Sequence, residues 1–351
     1  MKTELQRVDP EDFQDSQLQK ACDILKGGGL VAFPTETVYG LGGDALSVGA
    51  AEKIYAAKGR PSDNPLIVHI GREEDLYRIA EGIDMRAVKL MGAFWPGPLT
   101  MIFHKKGVVP HSTTGGMDTV AVRMPAHPVA LALIRNSGVL IAAPSANISG
   151  RPSPTRAGHV MEDLQGRIDM IIDGGQVGIG IESTIVDMTG DIPVILRPGY
   201  ITAEMLREVV GQVDVDPVLL AAEPQKDIVA KAPGMKYRHY APRGQLTIVE
   251  GSEEKVIFYI DSRMDEHRAR GEKAAVIATD ETYLKYHAEE VYSIGSKKTA
   301  ESIAAGLYDM LRQMDKIGAE YIYAESFQGV RLGAAIMNRM LKAAGYHKIK
   351  I

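Results

Sequence analysis

The chain has little cysteine and few aromatics: one cysteine, one tryptophan and six phenylalanines in 351 residues. A lone thiol excludes an intramolecular disulfide and a cysteine-built zinc centre, so Cys22, beside Ala21, Ile24 and Leu25, reads as a small buried hydrophobe. No apolar run approaches the roughly 18 residues that span a bilayer. The opening MKTELQRVDP has no apolar signal core, and with the single cysteine this sets the expected compartment as the cytoplasm, with no membrane role. An excess of positive charge is also missing. Lys and Arg number 40 against 45 Asp and Glu, a net charge of -5, which disfavours a generic polyanion binder and leaves nucleic-acid contact to a local patch.

Several catalytic signatures are absent. No Gly is followed directly by Lys and Ser or Thr, which removes the Walker loop. The nearest approach to a dinucleotide fingerprint, Gly40, Gly42 and Ala45, is parted from its strand by Pro34 to Thr37. The nine histidines lack metal-ligand spacing, so no side-chain metal site is assigned. There is no G-x-S-x-G elbow, and Ser145, in Pro-Ser-Ala-Asn, has no evident base. Positioning and charge neutralisation are better supported than covalent catalysis.

What is present is ordinary globular composition, 45% hydrophobic and 24% charged, at a length that predicts two domains. Residues 33 to 69 draw attention first. A short apolar strand, Leu30 to Phe33, stops at Pro34, and Thr35, Glu36 and Thr37 follow at its end. Gly40, Gly42 and Gly43 predict a tight turn or a close approach of the backbone to a ligand, and Val48 to Ala57 a helix ended by Lys58, Gly59, Arg60 and Pro61. Two cations there suit the helix macrodipole, which is a sufficient structural reading when they are taken alone. Their neighbours favour a site: Asn64 and Pro65 follow, and His69 lies near the end of the next apolar strand, Leu66 to Ile70. Open α/β sheets place ligands at strand ends.

Further along, strand-like runs at 99–103, 119–124, 139–143, 170–172, 184–188 and 194–196 intermix with helical stretches, notably Met85 to Phe94, 128–135, 156–164 and 203–210. A twisted, mixed sheet with packed helices is expected up to about residue 210. Ser145, Asn147, Ser149, Ser153 and Thr155 sit on a Pro- and Gly-kinked backbone suited to phosphate oxygens, or to an ordinary polar turn. Arg123 ends one strand and Arg197 another, while Ser183 and Thr184 open a third. If these strand ends share an edge, Arg60, Arg123, Arg197 and a lysine meet in one concavity that asks for a polyanionic ligand. A nucleoside triphosphate with a carboxylate cosubstrate satisfies it.

From Val213 to Arg243 little is suited to burial, and Tyr237, His239 and Tyr240 interleave with Lys231, Lys236, Arg238 and Arg243. A solvated linker and a lid over a ligand are both open readings. Beyond Gln245, strands and helices alternate regularly, as in a smaller Rossmann-like α/β domain with a parallel sheet. The expected domains are 1–212, a linker or lid 213–244, and 245–351.

The motifs PTETVYGLG, IYAAKGRPSDNPLIVH, TVAVRMP, APSANISGRPSPT, ESTIVD and ILRPG closely resemble the YrdC-like threonylcarbamoyl-AMP synthases, and APGMKYRHYAP with the α/β tail resembles their long, two-domain branch. The resemblance implies a twisted mixed-sheet YrdC-like catalytic domain and a Rossmann-like C-terminal domain. It implies an enzyme, a nucleotidyltransferase that joins L-threonine, bicarbonate and ATP, with Mg2+, into threonylcarbamoyl-AMP and releases pyrophosphate and water. The product serves a downstream threonylcarbamoyl transferase that modifies ANN-decoding tRNAs beside the anticodon. Carried over by position, Lys58, Arg60, Ser145 and Asn147 match the KxR and SxN tetrad around phosphates and bicarbonate. Thr37, His69, Arg123, Ala143 and Ser183 match the threonine positions; Asn64, Thr119, Ser153 and Arg197, with Tyr240 of the linker, match the ATP contacts. The competing reading is a module that binds RNA, double-stranded RNA included, through the same cationic concavity, with tRNA as a partner.

Overall fold

The computed structural model describes residues 2–220, 232–233, 239–327, 329 and 331–351. Two sheets organise them. The first contains twelve strands: β1 (Glu4–Arg7), β2 (Val31–Phe33), β3 (Gly40–Asp44), β4 (Ile67–His69), β5 (Ala80–Glu81), β6 (Leu99–Lys105), β7 (Thr119–Arg123), β8 (Ile141–Ala143), β9 (Met170–Asp173), β10 (Thr184–Asp187), β11 (Val194–Arg197) and β12 (Asp214–Val215). Their order is β1-β9-β2-β3-β8-β4-β7-β6-β10-β11-β12, with β5 beside β6. The pairing is mixed: β2–β3, β3–β8, β4–β8, β6–β7 and β10–β11 are antiparallel, whereas β4–β7 and β6–β10 are parallel.

Apolar side chains cover both faces of this sheet. Ile54, Leu90, Val160 and Leu206, from four helices, are buried on one face, and Cys22, Leu25, Leu133 and Ile134 on the other. The helix Met85–Phe94 follows its sequence signals closely. Asp84 accepts from the backbone N–H groups of Arg86 and Ala87 at its start, and Trp95 and Pro96 end it. The helix Val48–Lys58 is capped by Ser47 and closed by Gly59 at φ 61°, the left-handed turn that glycine adopts without strain.

The tight turn expected at Gly40, Gly42 and Gly43 is not found, although Gly40 lines the cavity described below. The three glycines lie in β3, paired with β2 on one side and β8 on the other. A Cβ on Gly42 would lie 2.6 Å from Ile141 Cγ2 and 2.8 Å from Phe33 Cε1, so flanking side chains fill the space that a side chain would need. β1 was not anticipated either. Its residues are largely exposed and carry no apolar alternation, and it forms by pairing with β9.

The second sheet holds β13 (Gln245–Glu250), β14 (Ala274–Ala278), β15 (Val291–Ser293), β16 (Tyr321–Glu325) and β17 (Lys348–Lys350), in the order β15-β14-β16-β13-β17. All its pairings are parallel. Helices Ala300–Ile317 and Gly333–Ala343 cover one face and Glu253–Ala269 the other. Strands buried on both faces explain the apolar runs of β14 and β16. The two halves meet closely: Gly180, at φ 80°, lies so near the helix Ala300–Ile317 that a Cβ would be 2.4 Å from Ala305 Cα.

Between the sheets, β12 joins the edge of the first sheet beside β11. The expectation of little burial here does not hold for several described residues: Val213, Ala232, Pro233, His239, Tyr240 and Pro242 are buried. Val213 joins the first core and Tyr240 stacks on Tyr308 of the second half, 5.2 Å between centroids. Lys231, Lys236, Tyr237 and Arg238 lie outside the described residues, as does half of the 213–244 linker or lid.

Candidate active site

Sheet register explains how residues far apart in sequence come together. His69 on β4 pairs with Arg123 on β7, Arg123 with Thr100 on β6, Thr100 with Ile185 on β10, and Ile185 with Arg197 on β11. Directly paired residues share a face of a sheet, so these five form one row across five strands. β8 brings Ala143 beside Ile67. The cavity above this row is lined by Thr37, Lys58, Arg60, His69, Arg123, Ala143, Ser145, Asn147, Ser183, Arg197 and Tyr240, all expected from sequence.

Lys58 does not cap its own helix. Its buried Nζ crosses to the 145–147 loop, donating to the carbonyl of Ser145 at 2.5 Å and to that of Asn147. Burial, reinforced by Arg60, lowers its pKa well below the usual lysine value. Arg60 turns its Nε to the Asn64 carbonyl (3.2 Å) and a terminal nitrogen to that of Pro65 (3.0 Å), and burial lowers its pKa to about 10. Asn147 donates to the carbonyls of Ile148 (2.8 Å) and Arg151 (2.9 Å), and its buried Oδ1 has no partner.

At the other end of the row, Arg123 donates to Thr37 Oγ1 at 2.9 Å and to the Gly97 carbonyl at 3.3 Å, and its NH2 lies 2.6 Å from Glu36 Oε1. His69 is enclosed beside it. Burial and then the Arg123 charge push its pKa down to about 3, so the imidazole is neutral at physiological pH. Ser183 Oγ shares a hydrogen bond with Thr100 Oγ1 (2.7 Å) and accepts from Arg197 (3.1 Å). Arg197 also donates to the Ser183 carbonyl (3.0 Å) and reaches the Pro233 carbonyl (3.3 Å), and burial lowers its pKa. Tyr240 adopts φ 66°, uncommon for a residue with a side chain. Neighbouring His239 also lines the cavity. Burial, with Arg60 and Lys342, lowers its pKa to about 3, and its Nε2 has no partner.

Three expected residues do not line the wall. Asn64 is buried with both amide atoms unpartnered, Ser153 is wholly buried and donates to Glu182 Oε1 at 2.6 Å, and Thr119 begins β7, four residues from Arg123. Three other residues were missed. Glu36 lay in a motif read only for its hydroxyls, and Arg151 looked like one more cation in a polar turn. Glu182, next to Ser183, is the one carboxylate among the described lining residues, against Lys58, Arg60, Arg123, Arg151 and Arg197. Burial raises its pKa, but Arg339 and Arg197, with hydrogen bonds from Ser153 and Tyr308, prevail and hold it at about 2. A wall with five cations and one carboxylate that is already ion-paired is built for an anion with several charges. Among the described residues no group of three His, Cys, Asp or Glu side chains could hold a metal ion.

Comparison with known proteins agrees. A Sua5/YciO/YrdC family model, described as telomere recombination, matches residues 23–199, and one described as the threonylcarbamoyl-AMP synthase C-terminal domain matches 201–345. The chain is 49% identical to the threonylcarbamoyl-AMP synthase of Bacillus subtilis over the whole of both chains. It is 48% identical to that of Pyrococcus abyssi, over 97% of this chain and 98% of the other. The crystal structure of P. abyssi Sua5 complexed with L-threonine superposes with a TM-score of 0.94 at 47% identity, covering 99% of this chain and all of that one. The chain belongs to the threonylcarbamoyl-AMP synthase family, in its two-domain form.

Proposed function

We infer that this protein is a threonylcarbamoyl-AMP synthase: it converts L-threonine, bicarbonate and ATP into threonylcarbamoyl-AMP, pyrophosphate and water. One observation carries the reading, the convergence of Lys58, Arg60, Arg123 and Arg197 with the hydroxyls of Thr37, Ser145 and Ser183 on one cavity. The reaction joins species that repel each other. The threonine amine, having lost a proton, bonds to the bicarbonate carbon as water leaves; a carbamate oxygen then bonds to the α-phosphorus as the bond to pyrophosphate breaks. Cations set in place beforehand offset that repulsion without reorganising during the step.

In this reading Arg123 takes the threonine carboxylate, with Thr37, neutral His69, Ala143 and Ser183 around the rest of the amino acid. Lys58, Arg60, Ser145 and Asn147 surround the bicarbonate and phosphates, and Asn64, Thr119, Ser153, Arg197 and Tyr240 hold the nucleotide. The two unpartnered amide atoms of Asn64 support its share. Magnesium enters as the companion of the triphosphate, since the wall offers it one carboxylate that is already engaged. The cytoplasm is the proposed compartment, and a threonylcarbamoyl transferase acting on ANN-decoding tRNA the proposed consumer of the product. The net charge of -5 speaks against RNA binding as the primary role. Mass-spectrometric detection of threonylcarbamoyl-AMP from the purified protein tests the reaction. Pyrophosphate release that needs neither threonine nor bicarbonate, or that runs as well with another amino acid, overturns it.

A further inference from the structure

Among the described residues the second domain contributes no side chain to the cavity, yet its longest helix grips the loop that does. Tyr308 and Arg312, four residues apart on helix Ala300–Ile317 and so on one face, are both fully buried against the first domain. Tyr308 donates to Glu182 Oε2 at 2.7 Å, and Glu182 Oε1 accepts from Ser153 at 2.6 Å. Arg312 donates to the Pro152 carbonyl at 2.6 Å and takes both oxygens of Asp163, at 3.2 and 2.8 Å. Asp163 in turn pairs with Arg151 and accepts from the Ile148 amide at 3.3 Å. From helix Gly333–Ala343, Arg339 adds a 3.0 Å bond to Glu182 Oε2.

The hydrogen bonds of Tyr308 and Arg312 therefore all end on the segment 145–153, which carries Ser145, Asn147 and Ser153, or on a carboxylate that holds it. We propose that Tyr308 and Arg312 are positioning residues for the nucleotide half of the site, so that the second domain sets the geometry of a cavity it does not line. This rests on the reading of Ser153 and Arg197 as nucleotide contacts. Mere adhesion between domains does not require it: buried donors could be satisfied anywhere along the interface, whereas these converge on one nine-residue segment and its two supporting carboxylates. Side chains that place a reacting group act without touching it.

The test uses the full chain. Tyr308→Phe removes one hydroxyl and keeps the ring against Tyr240; Arg312→Lys keeps the charge and removes the two-pronged grip. Each is expected to raise KM for ATP about tenfold, the scale of one hydrogen bond to a charged group. KM for threonine should stay unchanged and kcat should move less than about threefold. Backbone amide exchange across 145–156, measured without substrate, should quicken in both. Wild-type KM for ATP together with wild-type exchange across 145–156 in both variants overturns the proposal. So does a fall in kcat and melting temperature with the KM values of both substrates unchanged, which marks simple adhesion. If the unaltered protein makes no threonylcarbamoyl-AMP, the reading of the reaction fails, and the exchange measurement alone decides this inference.

Discussion

Arg123 is held by Glu36: its guanidinium lies 2.6 Å from Glu36 Oε1, and Glu36 does not itself line the cavity. Removing one partner of an enclosed ion pair leaves the other charge uncompensated. Glu36→Gln should therefore lower stability by about 3 kcal/mol and raise KM for threonine, because the arginine loses its anchor. A urea midpoint equal to that of the unaltered protein would show that the pair contributes nothing.

Lys58 ties the end of its helix to the loop bearing Ser145 and Asn147. Lys58→Ala should reduce kcat by about 100-fold or more, the scale of losing one preorganised charged donor. The larger, planar head of arginine should not restore it in Lys58→Arg. Pyrophosphate release from variants with unchanged circular dichroism checks this. A folded Lys58→Ala retaining most of the rate would remove lysine from the mechanism.

His69 and His239 are both held near pKa 3, against an ordinary value of 6.5. Between those values the unfolded chain binds protons that the folded chain refuses, so stability is full above pH 6.5 and falls as the pH drops. Each histidine should contribute a slope of about 1.4 kcal/mol per pH unit between pH 6.5 and 5, where carboxylates still add little. His127 and His159 are shifted in the same direction, both mainly by burial. Denaturant titrations at stepped pH should show the slope, and His69→Asn should remove its share of it. A flat profile in the unaltered protein would contradict the enclosure of these rings.

Two glycines separate two causes of glycine use. Gly42→Ala puts a methyl group into Ile141 and Phe33, and an overpacked site of this kind costs about 1–3 kcal/mol. Gly59→Ala meets no atom within 4 Å and loses only the ease of its left-handed φ, about 1 kcal/mol. Thermal melts should therefore rank Gly42→Ala as the more damaging. The reverse order would mean that β3 spreads readily to admit the methyl.

What could be read from the sequence follows from the range of each signal. The helix Met85–Phe94 was legible to the residue because Asp84 and Pro96 act locally. Arg60, Arg123 and Arg197 were legible as cations at strand ends. That they meet depends on β4, β7, β6, β10 and β11 lying side by side in that order, a pairing that no short stretch encodes. The same limit hid β3, whose glycines answer to Phe33 and Ile141 across neighbouring strands. Glu182 and Arg151 were invisible for a related reason. Their partners Tyr308, Arg339 and Asp163 are distant in the chain, and one acid or base in a polar turn carries no mark of what it will face.

At Gly180 the main chain of one half rests on the main chain of the other, with no side chain to act as a spacer. Such a seam offers no slack. A larger residue there would pry open the whole junction, so that position polices the spacing of two lobes that are otherwise free to accumulate changes separately.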